Sequence, residues 1–244
     1  TGWLADRVGS RRLFILSVTG FVLSSMLCGL SQNIEQMVLF RALQGATGAF
    51  ITPLSQAALV DINRPSRQAQ MMGLWGMGIM IGPIVGPLLG GWLTQNWNWR
   101  WVFYVNLPIG IPALAIMWWL LPSRPIIKRT LDVFGASMLA LGLCALQLIL
   151  DRGQHKDWFE SREIVIESVV AASAFWMFFI HNRDTKHKLF PSEMMRNSNF
   201  LIGVAFMLLM GIANVALSAV MPSLLQQIYG YDVMHAGMLM APRG

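Results

Sequence analysis

One charged side chain stands inside an apolar stretch of this sequence. Arg41 lies near the start of the apolar run 37–60. A charge deep in a bilayer costs at least about 2.5–3.5 kcal/mol on insertion scales, so we do not expect Arg41 to face lipid. It should face either a water-accessible pathway through the protein or the membrane interface, which its long side chain can reach.

Small and polar residues follow Arg41 at helical spacing. The stripe comprises Gly45, Gly48, Thr52 and Ser55, with Gln44 and Gln56 beside it. Residues at this spacing share one face of a helix, which favours a cavity or a partner helix along that face. Gln44, Thr52 and Ser55 are therefore candidate cavity residues together with Arg41.

Proton transfer beside Arg41 would need a carboxylate partner. No Asp or Glu lies at the centre of an apolar run, because Asp61, Asp132 and Glu167 all lie near run ends. If the protein moves protons, we expect the titrating carboxylate to lie outside this sequence and Arg41 to tune its pKa.

A second pattern is a glycine repeat within the stretch Trp75–Gly91. Its glycines recur every four residues, at Gly78, Gly82, Gly86 and Gly90, and its prolines are Pro83 and Pro87. On a helix these glycines form a groove without side chains, which allows close helix packing in lipid. The prolines remove backbone donors and favour bends. The stretch is therefore either a hinge or gate element or a packing helix with no moving role.

The composition indicates an integral membrane protein. Hydrophobic residues make up 55% and charged residues 12%, and the mean hydropathy is +0.53, whereas soluble domains carry about 25% charged residues. The apolar residues form long runs rather than alternating, which favours helices over a barrel. We predict seven membrane-spanning helices, at 13–31, 37–60, 70–93, 102–121, 132–150, 164–181 and 200–223.

The basic residues predict the orientation of these helices. Alternate loops hold twelve of the 18 Lys and Arg residues on one side and four on the other, so the positive-inside rule places the opening turn in the cytoplasm. We read the net charge of +6 as a topology signal and expect no nucleic-acid partner. Cys28 and Cys144 lie in apolar runs without ligand spacing, so we expect no disulfide and no metal site.

An aromatic cluster and a polar pair could each line a binding site or have an ordinary structural role. Trp97, Trp99 and Trp101, with Tyr104, form either an interfacial aromatic belt, which we favour, or a ligand-binding cluster. Asn214 and Ser218 lie on one face of the last run. They either line the cavity or make ordinary interhelical hydrogen bonds, which we favour.

Three stretches, in order, resemble signatures of the drug:proton antiporters of the major facilitator superfamily. The stretch GWLADRVGSRR resembles the cytoplasmic signature between the second and third helices. The stretch LFRALQGATGAF resembles the fourth-helix pattern, and GIMIGPIVGPLLGG resembles the fifth-helix antiporter signature. WRWVFYVNLPIG and LDRGQHKDWFESREI further resemble the fourteen-helix branch that includes EmrB-type multidrug exporters. The likeness extends over essentially the whole chain.

The resemblance implies roles for particular residues. It assigns Asp6 to a cytoplasmic gate, with Arg7, Arg11 and Arg12 as its basic partners. Asp61 is a possible partner for one of these arginines. Gly2 and Gly9 would allow the tight turn. The resemblance assigns Arg41 to proton coupling. It assigns to the antiporter helix Gly78, Gly82, Pro83, Gly86, Pro87, Gly90 and Gly91.

The resemblance also implies a fold and its division. We expect an all-α membrane protein with a partial major facilitator fold, about seven of fourteen transmembrane helices. Residues 1–121 would be helices three to six of the N-terminal bundle, 122–199 two extra central helices with loops, and 200–244 the start of the C-terminal bundle. The chain begins with Thr1 rather than methionine, and we expect it to be an internal part of a longer protein.

The implied function is export, not enzymatic catalysis. We expect a proton-coupled antiporter of the bacterial cytoplasmic membrane that exports hydrophobic or cationic drugs by alternating access, without a cofactor. The expected partners are small hydrophobic substrates, protons and the bilayer, and the resemblance adds a periplasmic adaptor and an outer-membrane channel. The alternatives are export of one dedicated metabolite or lipid, and a non-transporting membrane sensor or adaptor.

Overall fold

The computed structural model describes residues 2–122, 132–185, 189 and 192–240, and over these residues the chain is helical with no strand. Five helices in this part of the chain are long and apolar enough to cross a membrane, by length and composition. They are Ser10–Leu30, Trp101–Leu120, Val133–Lys156, Arg162–Asp184 and Ser198–Ile228. They match five of the seven predicted runs, and they confirm the predicted all-α membrane class.

The described residues form twelve α-helices. In chain order they are α1 Gly2–Val8, α2 Ser10–Leu30, α3 Ile34–Gly48, α4 Ile51–Ile62, α5 Pro65–Asn96, α6 Trp101–Tyr104, α7 Asn106–Leu120, α8 Val133–Arg152, α9 Arg162–Asp184, α10 Ser192–Arg196, α11 Ser198–Ser223 and α12 Val233–Met240. Short 3-10 turns at Gly153–Lys156 and Trp158–Glu160 join α8 to α9, and a π-helical turn at Leu224–Ile228 extends α11.

The chain divides into two compact units. The first comprises Thr1–Arg129 and Ile212–Gly244, and the second comprises Thr130–Gly211. The first unit contains the helices α1–α7 and α12, and the second contains α8–α10; the bounds of α11 extend into both. The expected division into 1–121, 122–199 and 200–244 stays a prediction.

The prediction of one uninterrupted helix over 37–60 is wrong. The helix α3 ends at Gly48 and α4 begins at Ile51, although Ala49 and Phe50 keep right-handed helical backbone angles. Pro53 explains the interruption, because it has no N–H to donate to the Ala49 carbonyl and its ring crowds that carbonyl. The polar stripe is therefore divided between two helices.

In the first unit, α2 is the central helix. Its Leu13, Phe14, Val18 and Val22 are buried and pack with Leu54 of α4. Since the hydrophobic effect does not drive helices together in lipid, close packing must come from shape, and small residues permit it. A Cβ added at Gly20 would lie 2.6 Å from the Thr47 side chain.

Two more glycines allow close approaches to α2. The ring of Tyr104 lies where a side chain at Gly29 would be, and Val22 lies where a side chain at Gly110 would be. These contacts bring α3, α6 and α7 against α2 and so position the site described below.

In the second unit, α8 and α9 form a hairpin. Its core contains Ala145, Ile149, Ile164 and Ala171. At the end near the turn, Arg152 lies 3.6 Å from Glu163 and 3.7 Å from Glu167, and Lys156 lies 3.1 Å from Glu163.

The other end of the hairpin is held by Asp132 and His181. Asp132 caps α8, because its Oδ1 accepts a hydrogen bond of 2.9 Å from the Gly135 N–H. The same oxygen lies 2.8 Å from Nε2 of His181, near the end of α9. The Asp132 side chain is only 6% exposed. Sequence reasoning assigned no role to His181, because its partner is 49 residues away.

Candidate functional site

An open recess of about 500 Å³ lies in the first unit, among α2, α3 and the segment containing α6 and α7. Arg41, Gln44, Gly45 and Gly48 of α3 form one wall. The remaining lining residues are Phe21, Val102, Phe103 and Asn106. The recess therefore combines a charge, two amides and an apolar wall, and the α3 part of the predicted stripe faces it.

Two neighbours hold the guanidinium of Arg41. Its Nη1 donates a hydrogen bond of 3.3 Å to Oε1 of Gln44. Its Cζ lies 4.6 Å from the ring centroid of Phe103, a cation–π distance. Arg41 is otherwise exposed, so most of its five N–H donors remain accessible from the recess.

Gln44 connects Arg41 to α2. It is 6% exposed, and its Oε1 also accepts from the thiol of Cys28 at 3.8 Å. Buried polar groups require such partners, because an unpaired one costs free energy. Gln44 was predicted as a cavity residue, and the structure places it in the wall of the recess beside Arg41.

The other predicted cavity residues are not among the described residues that line this recess. Thr52 is exposed on α4, and Ser55 accepts a hydrogen bond of 2.9 Å from Nε1 of Trp75. On α11, the hydroxyl of Ser218 donates to the carbonyl of Asn214 at 2.8 Å. A cavity role for these four residues stays a prediction.

Most of the predicted gate residues lie in the opening turn, on α1, on α2 and at Gly9 between them. Gly9 links α1 to α2 with φ +94°, a conformation that favours glycine. Arg7 lies 5.3 Å from the Trp3 ring centroid, and the guanidinium of Arg11 donates to the carbonyl of Trp118. By contrast, Gly2 is the first residue of α1 and is not among the described glycines with positive φ.

Asp61 lies beside the start of α2. It lines a small recess of about 30 Å³ with Ser10, Leu54 and Leu121. Ser10 is the first residue of α2, and the dipole of a helix favours negative charge at its N-terminus. The gate roles of Asp61, Asp6 and Arg12 stay predictions.

The glycine repeat lies on α5, which runs without interruption from Pro65 to Asn96. Among the described residues, no atom lies within 4 Å of a Cβ added at Gly78, Gly82, Gly86 or Gly90, apart from the helix's own backbone and chain neighbours. The groove is therefore open in this part of the protein. Gly91 is half-buried, and the side chains of Pro83 and Pro87 lie outside the described set.

Three of the four predicted aromatic residues, Trp97, Trp101 and Tyr104, line a second recess, of about 560 Å³. Trp97 and Trp101 pack edge to face at 4.4 Å, and Tyr104 contributes to the same wall. Arg100 donates to the carbonyl of Ser31, the C-cap of α2, at 3.0 Å. The belt and ligand-cluster interpretations both remain open.

No three metal-ligating side chains come together within the described ranges. The expectation of a protein without metal or cofactor stays a prediction.

The helices and the recess define a polytopic α-helical membrane protein with a charged recess among its helices. The family model described as Major Facilitator Superfamily matches residues 1–242. The chain therefore belongs to the major facilitator superfamily and is an integral membrane protein.

Three relatives align over the whole chain. "Multidrug export protein EmrB" of Haemophilus influenzae is 38% identical, and "Probable multidrug resistance protein EmrY" of Escherichia coli is 36% identical. "Fatty acid resistance protein FarB" of Neisseria gonorrhoeae is 35% identical. Each alignment covers 48% of the relative, so the chain spans about half the length of these curated relatives. These matches confirm the predicted likeness to EmrB-type exporters.

Proposed function

We propose that this chain is part of a proton-coupled antiporter that exports hydrophobic or cationic compounds across the bacterial cytoplasmic membrane by alternating access. The observation that carries the proposal is Arg41 in the wall of an open recess, within a chain related to multidrug exporters. A fixed positive charge in a membrane segment is costly and calls for a functional reason.

In this proposal Arg41 acts on a carboxylate supplied from outside the described residues. A nearby positive charge favours the ionised form of a carboxyl group and lowers its pKa. Substrate entry and proton release would then compete at one site, which couples the two fluxes. Arg41 suits this role because its charge is permanent and its free N–H donors match a carboxylate.

The other proposed elements act around this site. The gate at Asp6, Arg7, Arg11, Arg12 and Asp61 would lock the cytoplasmic side. The open glycine groove of α5 would receive a helix from the remainder of the transporter. A periplasmic adaptor and an outer-membrane channel remain proposed partners.

A second substrate class is a dedicated lipid-like acid. The relative named for fatty acid resistance motivates this alternative. The recess fits it chemically, because Arg41 could pair with a carboxylate while Phe21, Val102 and Phe103 contact an apolar chain.

The experiment compares the two substrate classes in the full-length parent protein. We expect inverted membrane vesicles containing it to accumulate ethidium when energised, and a protonophore to abolish that accumulation. We also expect the protein to protect a drug-sensitive strain from ethidium more than from oleate. Protection from oleate alone would support the dedicated exporter. No energised transport of any probe, with the protein present in the membrane, would support a non-transporting sensor.

A further inference from the structure

The ring of Phe103 packs against the guanidinium of Arg41. The Cζ of Arg41 lies 4.6 Å from the ring centroid, and Phe103 itself is 7% exposed. Phe103 belongs to α6, which continues through Val105 into α7. Hydrogen bonds at Phe103 join this segment to α2.

Hydrogen bonds to the Phe103 carbonyl come from Ser25 of α2 and from Asn106 of α7. The hydroxyl of Ser25 donates to this carbonyl at 2.9 Å. The Nδ2 of Asn106 donates to the same carbonyl at 3.3 Å and to the Ser25 hydroxyl at 2.9 Å. Ser25 is 0% exposed. Each buried polar atom in this triangle thus has a partner, which makes the arrangement specific.

We infer that Phe103 is a positioning residue for Arg41, and that Ser25 and Asn106 fix Phe103 in that position. The inference rests on the proposed role of Arg41 in transport.

The chemistry of the contact suits this role. A ring face holds a cation without consuming its N–H donors. Gln44 accepts from Nη1 of Arg41, and the other donors remain available for a carboxylate. Without the ring, a long arginine side chain is free to turn toward the membrane interface.

The test uses the full-length parent in energised vesicles. We expect Phe103→Leu, which keeps apolar bulk but removes the ring, to slow proton-driven ethidium transport by about two- to thirtyfold. We expect Phe103→Tyr to stay within about twofold of the natural protein, because it keeps the ring face. If Phe103→Leu does not accumulate, Phe103→Met provides the same comparison.

A second pair of variants tests the support from α2. We expect Ser25→Ala to slow proton-driven transport. We expect no such effect from Ser17→Ala, because the Ser17 hydroxyl is also buried but, among the described residues, its hydrogen bond goes to the Leu13 carbonyl of its own helix, at 2.7 Å.

The readout that separates positioning from packing is the ratio of proton-driven transport to gradient-free ethidium exchange. We expect Phe103→Leu to lower this ratio. The inference would be overturned if Phe103→Leu and Phe103→Tyr lost the same fraction of proton-driven transport. It would also be overturned if Phe103→Leu lowered proton-driven transport and gradient-free exchange by the same factor.

Arg41→Ala, measured in the same vesicles, distinguishes failure of the Phe103 inference from failure of the proposed role of Arg41. If Arg41→Ala is inactive and Phe103→Leu matches the natural protein, only the positioning inference fails. If Arg41→Ala retains full proton-driven transport, the proposed role of Arg41 fails and the inference fails with it.

Discussion

The contact between Asp132 and His181 predicts a measurable stability of the α8–α9 hairpin. Asp132 makes two interactions with one oxygen: the helix cap to Gly135 at 2.9 Å and the contact with His181 at 2.8 Å. Removing an N-cap costs typically about 1 kcal/mol, and a hydrogen bond to a charged group contributes about 1.5–3 kcal/mol. Since His181 is 32% exposed, we take the lower part of that range.

These values separate two substitutions. Asparagine caps helices about as well as aspartate, so Asp132→Asn loses only the charge and should cost about 1 kcal/mol. Asp132→Ala loses the cap as well and should cost about 2–3 kcal/mol. Because 1.4 kcal/mol corresponds to a factor of ten, local opening should increase about fivefold for asparagine and about 30- to 150-fold for alanine.

Hydrogen exchange on the full-length parent in detergent gives the assay, because local opening exposes the amides at the start of α8. Asp151→Asn is the matched control, since Asp151 is exposed at the other end of α8 and bonds Gln147 at 3.0 Å. If both Asp132 variants exchanged at the rate of the Asp151→Asn control, the Asp132 contacts would not stabilise the hairpin.

Three further predictions concern glycines of the first unit. Gly82→Leu should block transport by separating α5 from a partner helix, whereas Gly73→Leu, on the same helix outside the repeat, should not. Equal transport activity of the two variants would contradict close packing at the groove. Gly9→Ala should lower the free energy of unfolding by about 1–3 kcal/mol because of its φ of +94°, and Gly2→Ala should leave it unchanged. Gly29→Val should cost about 1–3 kcal/mol by displacing the Tyr104 ring, an effect that thermal unfolding measures and that Tyr104→Ala should relieve.

The long apolar elements could be predicted from the sequence, because each carries its own signal over about twenty residues. The interruption between α3 and α4 was predictable as well. Pro53 within the apolar run was the signal, since a proline disturbs the carbonyl four residues earlier.

The arrangement around Arg41 could not be predicted in the same way. Ser25 is separated from Phe103 by 78 residues and from Asn106 by 81. The sequence identified Arg41 and Gln44 on one helix face, because helical spacing is local. It contained no signal for which residues of α2 and α6 would face them, since that depends on how the helices pack.

The glycines show the same limit. The four-residue repeat predicted close helix packing on α5, but the close approaches within the described residues occur at glycines outside the repeat, among them Gly20, Gly29 and Gly110. A glycine repeat indicates a groove on its own helix. It does not indicate which other helix packs into that groove. The close-packing role of the α5 groove therefore stays a prediction.

Proton-driven ethidium transport by the purified full-length parent, in liposomes with an imposed pH gradient, tests the proposed role of Arg41 in proton coupling most directly. Arg41→Ala is compared with Arg67→Ala, which removes an exposed arginine in the first turn of α5. We expect no proton-driven transport for Arg41→Ala and normal transport for Arg67→Ala, with equal amounts of both proteins in the liposomes. Undiminished transport by Arg41→Ala would contradict the proposed role.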